Sequence, residues 1–210
     1  MKKGKKENGN MFRSVIALFL CFLVMCLILF TAFSLNKDAK SVINSEESVY
    51  EYLKGQYTND EFEINEHNTQ KKTLNKGQYA ISKCNITLNT WSVTSKKTGV
   101  SFEIHDNIIK NIHGEQICSL NVSDNYEENI RKDIIKNYSS DKNASNPVFN
   151  LKDYNSKEEL AKQLDTIIDK YLLKENYYNV NINLIVKNND KDIYIKYNYE
   201  SLEDLQNQIN

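Results

Sequence analysis

An uncharged apolar run near the N-terminus constrains this chain more than any other feature. Residues Val15 to Phe33 read VIALFLCFLVMCLILFTAF, without one charged side chain. As a helix the run would rise about 28 Å, close to the bilayer's hydrocarbon thickness of about 30 Å. A helix of a soluble domain keeps a polar stripe, and this run is apolar on every side. We therefore predict one N-terminal transmembrane helix over residues 14–34, anchored by Val15, Leu20, Leu23, Leu27, Phe30 and Phe33.

The flanks of this run predict its orientation. Basic residues crowd its N-terminal side, and the positive-inside rule places such a flank in the cytoplasm. We expect a cytoplasmic tail over residues 1–13, a connector over 35–44 and an extracytoplasmic C-terminal portion. The chain is then a single-pass protein of the cell membrane, with the bilayer as its first partner. The residues that set this topology are Lys2, Lys3, Lys5, Lys6 and Arg13.

A cleaved signal peptide is the main alternative. Ala32, Phe33 and Ser34 resemble a small-x-small cleavage site. The apolar run, however, is longer than the roughly 7–15 residues of a signal-peptide core, which favours an uncleaved anchor. Cleavage near Ser34 would instead release a secreted protein.

The charge of the remaining chain argues against nucleic acid as a partner. Five of the 27 basic residues precede the apolar run, and Glu7 is the one acidic residue of 28 that does. The 22 basic and 27 acidic residues that follow give this portion a charge of −5. Binding to nucleic acid requires clustered positive charge, so we expect none.

The apolar periodicity after the anchor predicts an α+β fold, with antiparallel sheets packed against helices. We expect two small units, over residues 45–139 and 148–210, joined by a polar linker at 140–147. In the first unit a helix capped at Asn44 or Ser45 precedes a strand at 61–65 and a loop at 67–76. Strands follow at 79–88, 90–95, 100–105 and 117–122, and a helix then begins near Ser123 or Asp124.

The second unit shows clearer alternation. A short strand at 148–151 precedes a helix that begins with a capping box of Ser156 and Glu159. A long β-hairpin is predicted next, with a turn at 188–190, and a short helix closes the chain at 202–209. The alternating apolar positions of the hairpin are Tyr178, Val180, Ile182, Leu184, Val186, Ile193, Ile195, Tyr197 and Tyr199.

Two cysteines follow the anchor. Cys84 and Cys118 can form a disulfide in an oxidising compartment, and the alternative is two separate buried thiols.

The sequence contains no recognisable catalytic or metal-binding motif. His67, His105 and His113 lack the close spacing of metal ligands. No nucleophile elbow, P-loop or dinucleotide fingerprint occurs. We therefore predict no cofactor, no metal and no enzymatic activity, while paired carboxylates such as Glu61 and Glu63 leave hydrolysis open. Four aromatic residues could line a binding surface or cover a half-buried sheet: Tyr50, Trp91, Tyr177 and Tyr194.

Three segments resemble a group of uncharacterised membrane-anchored or lipoprotein-like extracytoplasmic proteins of Gram-positive bacteria. They read YEYLKGQYTNDEFEI from Tyr50, WSVTSKKTGVSFEIHD from Trp91 and SDNYEENIRKDI from Ser123. The resemblance covers residues 44–138 and implies a cell-envelope location and a small α+β domain. It carries over no catalytic residue.

These observations favour a membrane-tethered, non-catalytic module that binds another protein of the cell envelope or takes part in an envelope assembly. The alternatives are an envelope enzyme or small-ligand binder without a recognisable motif, and a secreted protein.

Overall fold

The structure is a computed structural model that describes residues 20–25, 38–76, 82–176 and 179–209. It is α+β, with a four-stranded antiparallel sheet and helices. The strand order in this sheet follows the sequence, β1-β2-β3-β4. Its strands are β1 (Phe62–Lys76), β2 (Ser82–Ser95), β3 (Ser101–Lys110) and β4 (Gln116–Asp124).

The first strand contains the segment that was predicted to be a loop, and that prediction is wrong. β1 continues to Lys76 although residues 67–76 lack apolar alternation. Polar side chains hold it to β2: Asn65 Nδ2 donates to Thr94 Oγ1 at 2.8 Å, and Thr73 Oγ1 donates to Asn85 Oδ1 at 3.1 Å. These polar side chains, and not an alternating apolar face, hold this part of β1 to β2. The sequence periodicity therefore does not predict a strand here.

Besides the helical residues 20–25, the described part of the chain contains four α-helices, and three of them begin at a serine whose side chain caps the first turn. The four are α1 (Glu46–Gln56), α2 (Tyr126–Tyr138), α3 (Lys157–Lys170) and α4 (Leu202–Gln208). The helix predicted to be capped by Ser123 or Asp124 begins instead at Asn125, without a side-chain cap.

At α1, the Ser45 side chain accepts from the backbone N–H of Ser48, and the Ser48 side chain returns to Ser45. At α3, Ser156 Oγ accepts from the Glu159 N–H. The cap at Ser45 is confirmed. The capping box at Ser156 is confirmed in its first half only, because the Glu159 carboxylate accepts from the Asn155 N–H at 2.9 Å and not from Ser156.

A second sheet differs from the antiparallel one that the pattern predicted. Its strands are β5 (Val148–Asn150), β6 (Ile185–Asn188) and β7 (Lys191–Tyr194), in the order β5-β6-β7. β5 pairs with β6 in parallel, and β6 pairs with β7 antiparallel. The sheet is mixed because the chain between β5 and β6 contains α3, and a crossover through a helix permits parallel pairing.

The chain forms two compact units, and their boundaries differ from the predicted ones. One unit comprises residues 1–40, 71–87 and 108–120, and the other 41–70, 88–107 and 121–210. The predicted linker at 140–147 falls inside the second of these. There the Ser139 hydroxyl donates to the Val148 carbonyl and accepts from the Val148 N–H, which ties the segment to β5.

The larger unit has one continuous apolar core. It includes buried side chains from both sheets and from all four helices, among them Leu53, Phe102, Ile130, Phe149 and Leu205. At about 25 cal/mol for each Å² of apolar surface buried, such a core is the main source of stability. Therefore the elements before and after residues 140–147 share one core.

Only a small part of the predicted transmembrane helix can be described. Residues 20–25 are helical, and Leu20 and Leu23 are exposed. The rest of the span, with Val15, Leu27, Phe30 and Phe33, lies outside the described residues, as do residues 1–13. Among the helices in the described part of the chain, none has the length and apolar character needed to cross a membrane.

Candidate functional site

Buried and half-buried tyrosines bound to aspartates form a polar network beside the first sheet. Tyr52 and Tyr57 of the α1 region each donate a hydroxyl to Asp124 at 2.7 Å, and Tyr126 donates to Asp60 at 2.7 Å. Burial, reinforced by the Asp124 carboxylate, raises the pKa values of Tyr52 and Tyr57. The phenols therefore remain neutral donors, and both aspartates are well supplied with donors.

This network stabilises the fold and offers no reactive group. The ring of Tyr126 packs 4.4 Å from Phe102 and 4.8 Å from Tyr57, measured between centroids. Aromatic pairs in such arrangements add about 0.5–1.5 kcal/mol beyond the area they bury. The network links α1 to the ends of β4 and α2.

A serine and a histidine lie together on the outer face of the first sheet. Ser123 Oγ is 3.1 Å from His105 Nε2, and Asn107 Nδ2 donates to Ser123 Oγ at 2.7 Å. A nucleophile of this kind needs a third group to orient the histidine and a pair of oxyanion donors. No carboxylate partner of His105 occurs among the described residues, so this pair lacks the orienting group.

A second polar cluster lies where β1, β2 and β3 meet. The His67 ring stacks on Trp91 at 3.8 Å between centroids, and its Nε2 is 3.0 Å from Asn89 Oδ1. The Asn89 N–H donates to Asp106 Oδ2 at 2.8 Å, and Asp106 Oδ1 is buried without a partner. In the described part of the chain, no three His, Cys, Asp or Glu side chains converge to hold a metal.

The C-terminal hairpin lines a cavity of the larger unit. The pattern predicted a hairpin with arms at 178–186 and 193–199, but β6 and β7 pair only from Ile185 to Tyr194. One further backbone bond, from the Ile195 N–H to the Leu184 carbonyl at 3.0 Å, closes the paired part. Beyond it, β6 and β7 form no further strand pairs among the described residues. We call the cavity lined by residues 180–183 and 194–198 the hairpin gap.

Known hydrogen bonds determine which backbone groups face the hairpin gap. In an extended strand the N–H and C=O of one residue point to the same side, and the sides alternate along the chain. On the first arm, the Leu184 carbonyl bonds across to Ile195, while the Asn181 N–H turns away to Glu127 Oε2 at 3.2 Å. The backbone groups of Ile182 and Leu184 therefore face the gap.

The second arm follows the same rule. The Lys196 N–H donates to Gln208 Oε1 at 2.8 Å, and Gln208 Nε2 donates to the Lys196 carbonyl at 3.2 Å. Lys196 thus turns its backbone toward α4, whereas the Ile195 N–H turns toward the first arm. Across the gap, the Tyr197 hydroxyl donates to the Ile182 carbonyl.

A cavity of about 690 Å³ occupies this position. Consecutive residues form two of its walls, 180–183 on one arm and 194–198 on the other. Tyr197 and Ile182 are buried, whereas Tyr194 at the rim is 58% exposed. The remaining polar side chains of the lining are Lys174, Asn181, Asn183, Lys196 and Asn198.

Lys174 and Tyr199 close the end of the hairpin gap farthest from β6 and β7. Lys174 Nζ donates to the Tyr199 carbonyl at 2.8 Å and lies 4.4 Å above the Tyr199 ring. The Tyr199 hydroxyl donates to Asp165 on α3. Burial and the Asp165 carboxylate raise the pKa of Tyr199, so its hydroxyl stays protonated. These contacts hold the Tyr199 end of the second arm against Lys174 and α3.

The structure brings some predicted site residues together and places others apart. Cys84 and Cys118 form a disulfide with their Cα atoms 5.9 Å apart. Tyr194 lies at the cavity rim and Tyr50 is exposed on α1, whereas Trp91 is buried and donates to the Ile43 carbonyl at 2.9 Å. Tyr177 lies outside the described residues, as do the topology residues Lys2, Lys3, Lys5, Lys6 and Arg13.

Comparison with protein-family models, curated proteins and solved structures finds no match to this chain. The resemblance of residues 44–138 to membrane-anchored envelope proteins therefore remains a prediction.

Proposed function

We propose that this protein is a membrane-tethered, extracytoplasmic binding module of the cell envelope, and that its ligand is another envelope protein. The hairpin gap carries the proposal, because it is a cavity of about 690 Å³ that is lined by both arms of the hairpin and whose rim bears Tyr194. A pocket of this size falls in the range of roughly 300–1,000 Å³ that ligand sites occupy. Exposed tyrosine is enriched in protein interfaces.

Two further observations support the proposed location. Disulfides persist in oxidising compartments and are rare in the cytosol, and Cys84 pairs with Cys118. The uncharged run from Val15 to Phe33, preceded by five basic residues, has the composition of an anchor with its N-terminus in the cytoplasm.

Labelling of cysteines in intact cells tests the location. We expect a cysteine at exposed Glu200 to react with a membrane-impermeant maleimide in intact cells, and a cysteine at Lys5 to react only after the membrane is opened. The mature N-terminus, read by mass spectrometry, should be that of the uncleaved chain. Protection of both cysteines in intact cells would contradict an extracytoplasmic domain, and a mature chain starting at Leu35 would identify a secreted protein.

Photo-crosslinking in cells tests the binding role. A photoreactive phenylalanine analogue at Tyr194 should yield a discrete crosslinked protein species. The same analogue at Glu47, which is exposed on α1, serves as the matched control and should yield none. Equal crosslinking from both positions, or none from Tyr194, would argue against a binding role for the hairpin gap.

A further inference from the structure

The two compact units carry charge of opposite sign. Beyond the apolar run, the smaller unit consists of residues 34–40, 71–87 and 108–120. These residues include seven lysines against two carboxylates, Asp38 and Glu115, which gives a charge of +5. The chain beyond residue 33 carries −5 in all, so the larger unit carries −10. The net positive charge beyond the apolar run is therefore confined to the smaller unit.

The lysines of the smaller unit are available to a partner. Five of the seven are exposed in the described part of the chain: Lys40, Lys71, Lys72, Lys83 and Lys110. None of these five forms an ion pair within the residues that the structure describes. Lys71 and Lys72 are consecutive in β1, so their side chains point to opposite faces of the sheet. Charge spread over both faces favours an extended anionic surface over a small anion held at one point.

The smaller unit is also where the chain arrives from the predicted anchor. Ala39 lies five positions after Ser34, the last residue of the predicted span, and its N–H donates to the Asn85 carbonyl at 3.2 Å. Five extended residues reach about 18 Å at most. With residues 14–34 in the bilayer, the part of β2 at Asn85 is therefore held within that distance of the outer end of the anchor.

A disulfide holds a second hairpin at the same place. Cys84, the neighbour of Asn85, is bonded to Cys118 of β4, and both cysteines belong to the smaller unit. Ile112, six positions before Cys118, lies in the turn between β3 and β4. The short connector and the disulfide together therefore keep this turn within reach of the membrane surface.

The tip of this hairpin presents an apolar side chain to solvent. The Asn111 N–H donates to the Glu115 carbonyl at 2.8 Å and closes the turn, in which Gly114 adopts a φ of 80°. Ile112 at the tip is 95% exposed, and Ile117 on β4 is 38% exposed. Transfer of such side chains from water to the boundary between lipid headgroups and acyl chains is favourable.

From these features we infer that the smaller unit docks on the outer face of the membrane that holds the anchor. Its lysines bind the phosphate groups of anionic lipids, and Ile112 enters the headgroup boundary. Anionic lipids attract basic segments beside an anchor, and the attraction acts within roughly 8–10 Å of the surface at physiological salt. The same lipids repel the larger unit, so its hairpin gap stays free to bind a partner. The inference rests on the membrane tether of the proposed function and adds a second contact with the bilayer.

Fluorescence of the full chain in lipid vesicles tests this contact. Trp91 is the only tryptophan and is 4% exposed, so a second tryptophan placed at the tip by Ile112→Trp reports on its own surroundings. The vesicles have brominated acyl chains and consist of phosphatidylcholine alone or of an equimolar mixture with phosphatidylglycerol. We expect the bromine to quench the emission of the added tryptophan about threefold more in the mixed vesicles than in the neutral ones.

Charge variants separate the smaller unit from the protein as a whole. In the Ile112→Trp chain, Lys71→Glu together with Lys72→Glu should reduce the quenching in mixed vesicles by about half or more. Lys152→Glu together with Lys191→Glu makes the same charge change at exposed positions of the larger unit and should leave the quenching unchanged. Raising the salt concentration should also weaken the quenching, because ions screen the attraction without altering the chain.

A tryptophan in the larger unit serves as the control for position. Tyr194→Trp replaces an exposed side chain of that unit and should show little quenching in either kind of vesicle. Equal quenching of Ile112→Trp and Tyr194→Trp in mixed vesicles would overturn the inference. Quenching of Ile112→Trp that depends on neither lipid charge nor salt would overturn it as well.

The outcomes separate this inference from the proposed function. Vesicles that retain the chain through an alkaline wash, while the tryptophan at position 112 stays unquenched, would overturn the docking and leave the tether intact. A chain that the wash removes would overturn the tether and the docking with it. Binding to a purified anionic wall polymer that is lost in Lys71→Glu with Lys72→Glu, without quenching in vesicles, would overturn the lipid assignment in favour of the polymer.

Discussion

Two hairpins of this chain share an alternating apolar pattern, and they differ in how far the pairing extends. Between β2 and β3, pairing runs through five residue pairs, from Thr90↔His105 to Thr94↔Ser101. Between β6 and β7 it runs through four, from Ile185↔Tyr194 to Asn188↔Lys191, and the arms then separate although the alternation continues.

The difference shows that alternation specifies which face of a strand is buried and leaves open which strand it pairs with. In both hairpins the apolar positions are buried, as in Phe102 and Ile104 of the first and Ile182 and Leu184 of the second. Pairing also depends on which other groups form hydrogen bonds with the backbone N–H and C=O groups of the strand. In the second hairpin, Gln208 occupies the backbone of Lys196. Tyr197 spans the space between the arms.

The largest contrast is expected from truncating one side chain in each hairpin. Phe102→Ala should destabilise the protein by about 3–5 kcal/mol, because the ring is buried among Tyr57, Phe62 and Tyr126. Tyr194→Ala, at the exposed rim, should change stability by less than about 0.5 kcal/mol. Urea unfolding followed by circular dichroism measures both. Equal destabilisation would show that the rim of the hairpin gap is packed like a core.

A smaller effect is expected where the gap is bridged. Tyr197→Phe removes the hydroxyl that donates to the Ile182 carbonyl. A lost hydrogen bond of this kind should lower the free energy of unfolding by about 0.5–1.5 kcal/mol. Thr94→Val, which removes an exposed cross-strand hydroxyl from the paired hairpin, is the control and should cost less. If Tyr197→Phe changed neither the free energy of unfolding nor the NMR signals of Ile182, this hydroxyl would not be holding the two arms of the hairpin together.

The smallest effect is expected at the contact that keeps the second arm away from the first. Gln208→Ala removes both hydrogen bonds to the Lys196 backbone and should cost less than about 1 kcal/mol, since the side chain is only partly buried. Amide exchange at Lys196, measured by NMR, should accelerate while exchange at Val93 stays constant. Constant exchange at Lys196 would indicate that another group holds this arm.

How much of this could be foreseen from the sequence depends on how local each feature is. The caps at Ser45 and Ser156 were predictable, because a helix start is determined by three or four neighbouring residues. The length of β1 was not, because side chains such as Asn65 and Thr73 hold it through partners that are distant in sequence. The parallel pairing of β5 with β6 likewise depends on tertiary contacts.

The sequence did not predict the hairpin gap, because this feature also depends on contacts between residues that are distant in sequence. The alternation from Val180 to Tyr199 predicted one long hairpin, and the buried faces agree with it. The hairpin departs from this prediction where Gln208, twelve positions after Lys196, binds the Lys196 backbone. Tyr194 was the one residue described as lining the cavity that the sequence singled out as a candidate for a binding surface. The pairing of Cys84 with Cys118, by contrast, could be considered from the sequence, because the predicted anchor places both cysteines in an oxidising compartment.

Amide hydrogen exchange of the isotopically labelled full chain, read residue by residue without any ligand, tests the open hairpin most directly. We predict that the Ile195 N–H is protected, because it donates to Leu184, whereas the Ile182 and Leu184 N–H groups exchange much faster. Within the first hairpin, Trp91 and Val93 should show protection along the whole paired strand. Protection of Ile182 and Leu184 equal to that of Ile195 would mean that the arms pair in solution, which would contradict the hairpin gap.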